Sequence, residues 1–171
     1  PWARLVADHC GTRHRELWAG GRLVDDFALL MDHFDEPFAD TSALPTFLLA
    51  RAAREHVKVV LTGDGADELF GGYHSLVPAD PWSEIRRQLV DDMHFTELRR
   101  LDLSCMAHGV EARCPFLDRA VRGLSDGLSF HDLYGSEENK VGLRRCFEGV
   151  LPSEVLHRRK TSFDVGSGVR G

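Results

Sequence analysis

Asp64, Asp67 and Glu68 lie inside one short string, Val59-Val60-Leu61-Thr62-Gly63-Asp64-Gly65-Ala66-Asp67-Glu68-Leu69-Phe70-Gly71-Gly72-Tyr73-His74. Three carboxylates and four glycines follow an apolar run. Glycine lets main-chain amides approach a ligand closely, as phosphate binding requires. A carboxylate beside a polyphosphate is there to hold Mg²⁺, since bare repulsion would otherwise oppose binding. Gly71-Gly72 is expected to end a short helix in a conformation that only glycine adopts cheaply. The ordinary alternative is an acidic turn whose carboxylates cap a helix. This string is far longer than such a turn requires.

The chemistry needs elements to hold it. Val57 to Leu61 is β-branched and almost uncharged, and reads as a buried strand. In parallel α/β sheets, ligands sit beyond the carboxyl ends of strands, where Thr62 to Gly65 would lie. Pro1 to Cys10 reads as a helix end, stopped by Gly11-Thr12, and Arg15 to Ala19 as a short strand. Val24 to His33 has a helical apolar stripe, broken by Asp35-Glu36-Pro37. Thr41 or Ser42 caps the next helix, with Pro45 in its first turn, running to about His56. This order predicts a parallel α/β layer. Beyond Tyr73, residues Pro81 to Gly109, Asp118 to Leu124 and Lys140 to Val150 read as helices. The last would set Leu143, Cys146, Phe147 and Val150 on one face, and Pro152 ends it. Phe116, Leu117 and Phe147 are read as core. Asp118 is read as a helix cap. The Gly- and Ser-rich tail from Lys160 to Gly171 is expected to be mobile. No linker separates the halves, so one domain is expected.

A chain of 171 residues can bury a real core. A net charge of -6 argues against a general nucleic-acid binder. No apolar run approaches the roughly 20 residues of a membrane span, and the start lacks a signal-peptide apolar region. Cys10, Cys105, Cys114 and Cys146 form no C-x-x-C pair, so reduced thiols in a cytoplasmic protein are expected rather than structural zinc.

The string from Thr62 to Tyr73 resembles the S-G-[ED]-G-x-D-E-[LV]-F-G-G-Y segment of the synthetase domain of glutamine-dependent asparagine synthetases. Asp35-Glu36-Pro37-Phe38-Ala39-Asp40, with Ser42, resembles that family's D-E-P-F-x-D-x-S segment. Met106 to Asp118 is similar to its G-[VL]-E-x-R-x-P-F-L-D segment. Glu137 to Pro152, followed by Arg158-Arg159-Lys160, is similar to its K-x-x-L-R-x-x-F-x-x-x-L-P and R-x-K-x-x-F tail. Gly11-Thr12-Arg13-His14 resembles its G-T-x-H turn. The likeness covers nearly all of the chain and keeps the family's order.

The resemblance implies a partial parallel sheet of the ATP-pyrophosphatase type, with a mainly helical second half. It implies Mg-ATP as cofactor and substrate, adenylation of the aspartate side-chain carboxylate, and displacement of AMP by ammonia, which the parent enzyme draws from glutamine. Thr62 and Gly63 would contact the nucleotide. Asp64 would hold the amine nucleophile or accept its proton. Asp67 would help hold Mg²⁺ and pyrophosphate. Lys160, and Lys140 as a second candidate, would contact phosphate and offset its charge as the adenylate forms. A homodimer of the parent, no nucleic acid and no membrane complete the expectation.

Glu111 and Arg113 are open between a buried structural ion pair and substrate positioning. Asp35, Glu36 and Asp40 line the site or simply lead into a capped helix. The family's S-G-G-x-D-S loop and its glutaminase half have no counterpart in this sequence. The chain is therefore expected to be a partial synthetase domain with little activity alone. Two alternatives stand beside this reading. One is a β-lactam synthetase or peptide-cyclising relative, against which Asp64 leans. The other is a non-catalytic remnant that binds nucleotide or a partner.

Overall fold

The computed structural model describes residues 2–17, 22–73, 81–136, 138–161 and 163–166. Its elements run α1 (Trp2–His9), α2 (Leu23–Phe34), α3 (Ala43–Arg54), β1 (Val59–Leu61), α4 (Ala66–Phe70), α5 (Trp82–Asp92), α6 (Glu97–Met106) and β2 (Glu111–Arg113). A 3₁₀ turn (Pro115–Leu117) then leads to α7 (Arg119–Asp126), α8 (Phe130–Leu133), α9 (Val141–Cys146), α10 (Ser153–Leu156) and α11 (Phe163–Gly166). The architecture is mixed α/β, mostly helical, with a small parallel sheet. The chain divides into two compact units. A helical unit comprises Pro1–Glu16, Gly65–Val90 and Phe116–Lys160. A strand unit comprises Leu17–Asp64, Asp91–Pro115 and Thr161–Gly171.

In the strand unit, Leu30 and Phe34 of α2 meet Ala43 and Phe47 of α3 in a buried cluster. α2 ends where Asp35 turns left-handed, φ 59°, its amide donating to the Met31 carbonyl. The break expected at Asp35-Glu36-Pro37 is there. Ser42 stands at the cap position of α3, but its side chain makes no cap bond. Instead its own amide donates to Asp40 Oδ1 at 2.7 Å. Pro45 sits in the first turn, where a missing amide loses no helical bond.

β1 and β2 pair in parallel, Val59 opposite Glu111, Val60 opposite Ala112 and Leu61 opposite Arg113. Side chains alternate between faces. Val60 and Ala112 pack on the cluster of Ala50, Leu101, Cys105 and Val110. Val59, Leu61, Glu111 and Arg113 are all exposed. This corrects the expectation of a buried strand over Val57–Leu61: it covers Val59–Leu61, and Leu61 is 72% exposed. An all-apolar run reads as a strand covered twice, and among the described residues it is the Val60–Ala112 face that packs on a helical cluster. The expected buried pair of Glu111 and Arg113 is also corrected. They pair at 2.7 Å, but on the open face, because residues two apart on a strand point the same way.

Other expectations change at element ends. Arg15 to Leu17 is irregular rather than strand, and Trp18 and Ala19 fall outside the described residues. The helical stretch expected over Pro81–Gly109 holds two helices, α5 and α6. Thr96 starts α6, and its hydroxyl bonds back to the Asp92 carbonyl at 3.1 Å, a local competitor to helix continuation.

In the helical unit, Asp118 caps α7 as expected, its Oδ1 accepting the Ala120 amide at 2.8 Å. α9 stops at Cys146 instead of reaching Val150. Residues 147–150 turn, Gly149 with φ 74°, so the expected apolar face loses its helical register. Phe147 and Val150 are 37% and 57% exposed, so Phe147 is not core. Phe116 is half-buried, edge-on to Phe70 at 6.0 Å. Of the tail, Ser162 and residues 167–171 lie outside the described residues, and Phe163–Gly166 is a helical turn. Among the described residues no helix is long and apolar enough to cross a membrane.

Candidate functional site

α4 carries Asp67 and Glu68 between two left-handed glycines, Gly65 at φ 93° and Gly71 at φ 72°. A Cβ on Gly65 would come within 2.5 Å of Leu117 Cδ2. Gly71 is the helix-ending glycine that the sequence suggests. Gly72 joins it in closing α4, its amide donating to the Asp67 carbonyl at 2.7 Å, and serves a second need. A Cβ there would sit 1.7 Å from Asp67 Oδ1, so its bareness makes room for that carboxylate.

Asp67 lies between two cations. Lys140 Nζ is 2.8 Å from Oδ1 and Lys160 Nζ is 2.6 Å from Oδ2. Burial pushes the Asp67 carboxyl up, but the two ammonium groups together outweigh it and hold it below the ordinary aspartate value. Lys160 Nζ also stands 4.5 Å from the Tyr73 ring centroid, over an electron-rich face. Tyr73 in turn donates its hydroxyl to buried Glu68. The chain has three lysines, and two of them converge here from positions 140 and 160.

The strand unit holds a second cluster of opposite stoichiometry. Arg100 on α6 forks between two acids, Nη1 at 2.8 Å from Asp40 Oδ2 and Nη2 at 2.6 Å from Asp64 Oδ1. All three side chains are largely buried, at 13%, 25% and 15% exposure respectively. Thr62 ends β1: its amide continues the ladder to the Arg113 carbonyl at 2.9 Å, and its hydroxyl lies 3.4 Å from Cys114 Sγ. The Thr62 amide is therefore committed to the sheet. Gly63 differs, since a Cβ there would meet nothing within 4 Å.

Two shifted groups belong to this unit, Cys105 buried and His108 half-buried. Burial, then Asp102, Asp64 and Cys114, push the Cys105 thiol up. Burial, then Arg51 and His33, push His108 down, and its ring lies 4.4 Å from that of Phe47.

Of the residues expected from sequence, Asp67, Lys140 and Lys160 come together in the helical unit. Thr62, Gly63 and Asp64 fall in the strand unit. Asp35 ends a helix, Glu36 pairs with Arg99, and Asp40 joins the Arg100 cluster. Arg100 and Tyr73 were not expected. The signal for Tyr73 lay in the string itself. For Arg100 there was only an Arg-Arg pair on a helix, which ordinarily faces solvent.

Among the described residues no group of three or more His, Cys, Asp or Glu could hold a metal ion. Mg²⁺ commonly takes one or two protein carboxylates, completing its shell with water and phosphate oxygens. Asp67 suits it as one such ligand. The paired ammonium groups suit a phosphate group directly.

A family model described as asparagine synthase matches residues 1–91 and 79–170. Asparagine synthetase [glutamine-hydrolyzing] 1 of Saccharomyces cerevisiae is 33% identical over 97% of this chain and 32% of its own length. Asparagine synthetase B [glutamine-hydrolyzing] of Escherichia coli is 32% identical over 97% of the chain and 32% of its own length. Asparagine synthetase [glutamine-hydrolyzing] 3 of Arabidopsis thaliana is 32% identical over 96% of the chain and 31% of its own length. The chain thus spans about a third of the length of these relatives.

Proposed function

The chain belongs to the asparagine synthase family, and on that premise we propose that it is part of a ligase that makes asparagine from aspartate, ammonia and ATP. The convergence of Lys140 and Lys160 on Asp67 carries this reading. Two ammonium groups on one carboxylate make a net cationic receptor. A diphosphate offers oxygens able to replace the carboxylate, and point charges on lysine suit them.

In this reading ATP supplies the adenylyl group that activates the aspartate side-chain carboxylate. Lys140 and Lys160 hold the departing diphosphate and offset the charge it gains. Asp67 gives Mg²⁺ one carboxylate oxygen. Gly63, and Thr62 through groups other than its amide, border the nucleotide. Asp64, oriented by Arg100, receives the ammonia nucleophile or its proton. The fold would be part of an ATP-pyrophosphatase domain, in a cytoplasmic setting where ATP and free aspartate occur together. The complete reaction is credited to a longer polypeptide, because this chain spans about 32% of its relatives.

A longer polypeptide carrying this chain, given Mg²⁺, ATP, aspartate and ammonia, is expected to release pyrophosphate and form asparagine together. Release of ADP and orthophosphate, or pyrophosphate release that ignores aspartate, would overturn the assignment.

A further inference from the structure

Lys140 and Lys160 are twenty positions apart, and each belongs to a long flexible side chain on a short connecting segment. Something must hold their backbones so that both reach one carboxylate. Arg144, on α9, contacts both segments. Its Nε donates to the Asn139 carbonyl at 2.7 Å and its Nη2 donates to Asn139 Oδ1 at 3.1 Å. The same Nη2 reaches the Arg158 carbonyl at 3.5 Å, two residues before Lys160. Asn139 is 2% exposed, and its amide nitrogen donates to the Gly72 carbonyl at 2.7 Å, tying the lysine segment to the glycine loop beside Asp67. Lys140 itself has φ 55°, a left-handed conformation that a lysine keeps only where its surroundings impose it.

We propose that Arg144 and Asn139 form a positioning clamp, which sets Lys140 and Lys160 as a two-pronged receptor for phosphate oxygens. The inference rests on the phosphate reading of the lysine pair. The hold is stronger on Lys140, whose neighbour takes two of the guanidinium's bonds, than on Lys160, whose segment takes one long contact. A lysine at position 144 could not replace the fork, because an ammonium group lacks its paired geometry.

The test uses the 171-residue chain with selectively labelled lysine ammonium groups. Without ligand, the native chain is expected to show slowly exchanging signals for Lys140 and Lys160. Arg144→Gln and Arg144→Lys should lose the Lys140 signal first while backbone signals of α4 and α7 stay in place. Persistence of both ammonium signals in both variants would overturn the clamp. Titration with inorganic pyrophosphate and with orthophosphate gives the second readout. The variants should lose about tenfold in pyrophosphate affinity, as expected for disrupting one charge-assisted contact. Unchanged affinity for both anions in both variants would also overturn the proposal. If the native chain binds neither anion, the phosphate reading fails, and the ligand-free ammonium spectrum still judges the clamp.

Discussion

The two charge clusters use the same kinds of group in inverted proportion. In the helical unit one acid, Asp67, is shared by two cations, Lys140 and Lys160. In the strand unit one cation, Arg100, is shared by two acids, Asp40 and Asp64. The first is left net positive. The second is left net negative. The cations differ in kind as well. Lysine gives a movable point charge, whereas arginine's planar fork holds two carboxylates in fixed geometry. A receptor that must take up and release a diphosphate is better served by the first, and a scaffold that orients an acid by the second.

The contrast is broken most severely by removing the pair of lysines. Lys140→Met with Lys160→Met is expected to weaken pyrophosphate binding by about a hundredfold or more, two charge-assisted contacts being lost. Calorimetric titration measures it, and a change below about threefold would leave the receptor without support.

Arg100→Met should act on stability rather than on anion uptake. It strands two mostly buried acids, a loss of about 3–5 kcal/mol when one partner of a buried pair is removed. Hydrogen exchange in α3 and α6 should report it, with pyrophosphate affinity nearly constant. A large fall in affinity at unchanged protection would erase the distinction between the clusters.

Gly72→Ala probes the room left for Asp67. The added methyl would displace the carboxylate from between its lysines, at a cost of about 1–3 kcal/mol for overpacking. Gly63→Ala, with open space at its Cβ, should cost much less in the same denaturation assay.

The pH dependence separates the clusters more finely. The Asp67 carboxyl is held below its ordinary value in the folded chain. Its ion pairs therefore contribute stability at pH above about 3.9 and lose it as pH falls through the lowered folded value. The melting-temperature gap between the native chain and Asp67→Asn should be constant near neutrality and close below about pH 4. A gap that grows on acidification would contradict the sign. The smallest effect concerns Cys105, buried and pushed up, which should alkylate far more slowly than exposed Cys10 and Cys146. Mass spectrometry after brief iodoacetamide treatment checks it.

Legibility in the sequence followed the range of the forces involved. Local signals read well: the left-handed stop at Asp35, the cap at Asp118, the first-turn Pro45 and the glycine ending α4. Lys140, Lys160 and Asp67 were named from the family likeness, and the structure brings their charges together. Reading failed where the outcome depends on distant segments. Glu111-Ala112-Arg113 has little strand propensity and forms β2 only because β1 offers it a ladder. The burial of Val59 and Leu61 was overestimated, since an apolar run does not say how many faces will be covered. Arg100 could not be found, because nothing near Arg99-Arg100 announces that Asp40 and Asp64 will fold against that face of α6. Gly72 closes α4 as expected, its amide donating to the Asp67 carbonyl at 2.7 Å, but the room it leaves for the Asp67 carboxylate could not be read, because clearance is a matter of three dimensions.

The central claim is that the lysine pair is the receptor for the diphosphate part of the substrate. With only three lysines in the chain, one ammonium spectrum during pyrophosphate titration tests it directly. The account predicts that Lys140 and Lys160 shift together and saturably while Lys58 stays still. Movement of Lys58 alone, or saturation of the anion with neither Lys140 nor Lys160 responding, would contradict it.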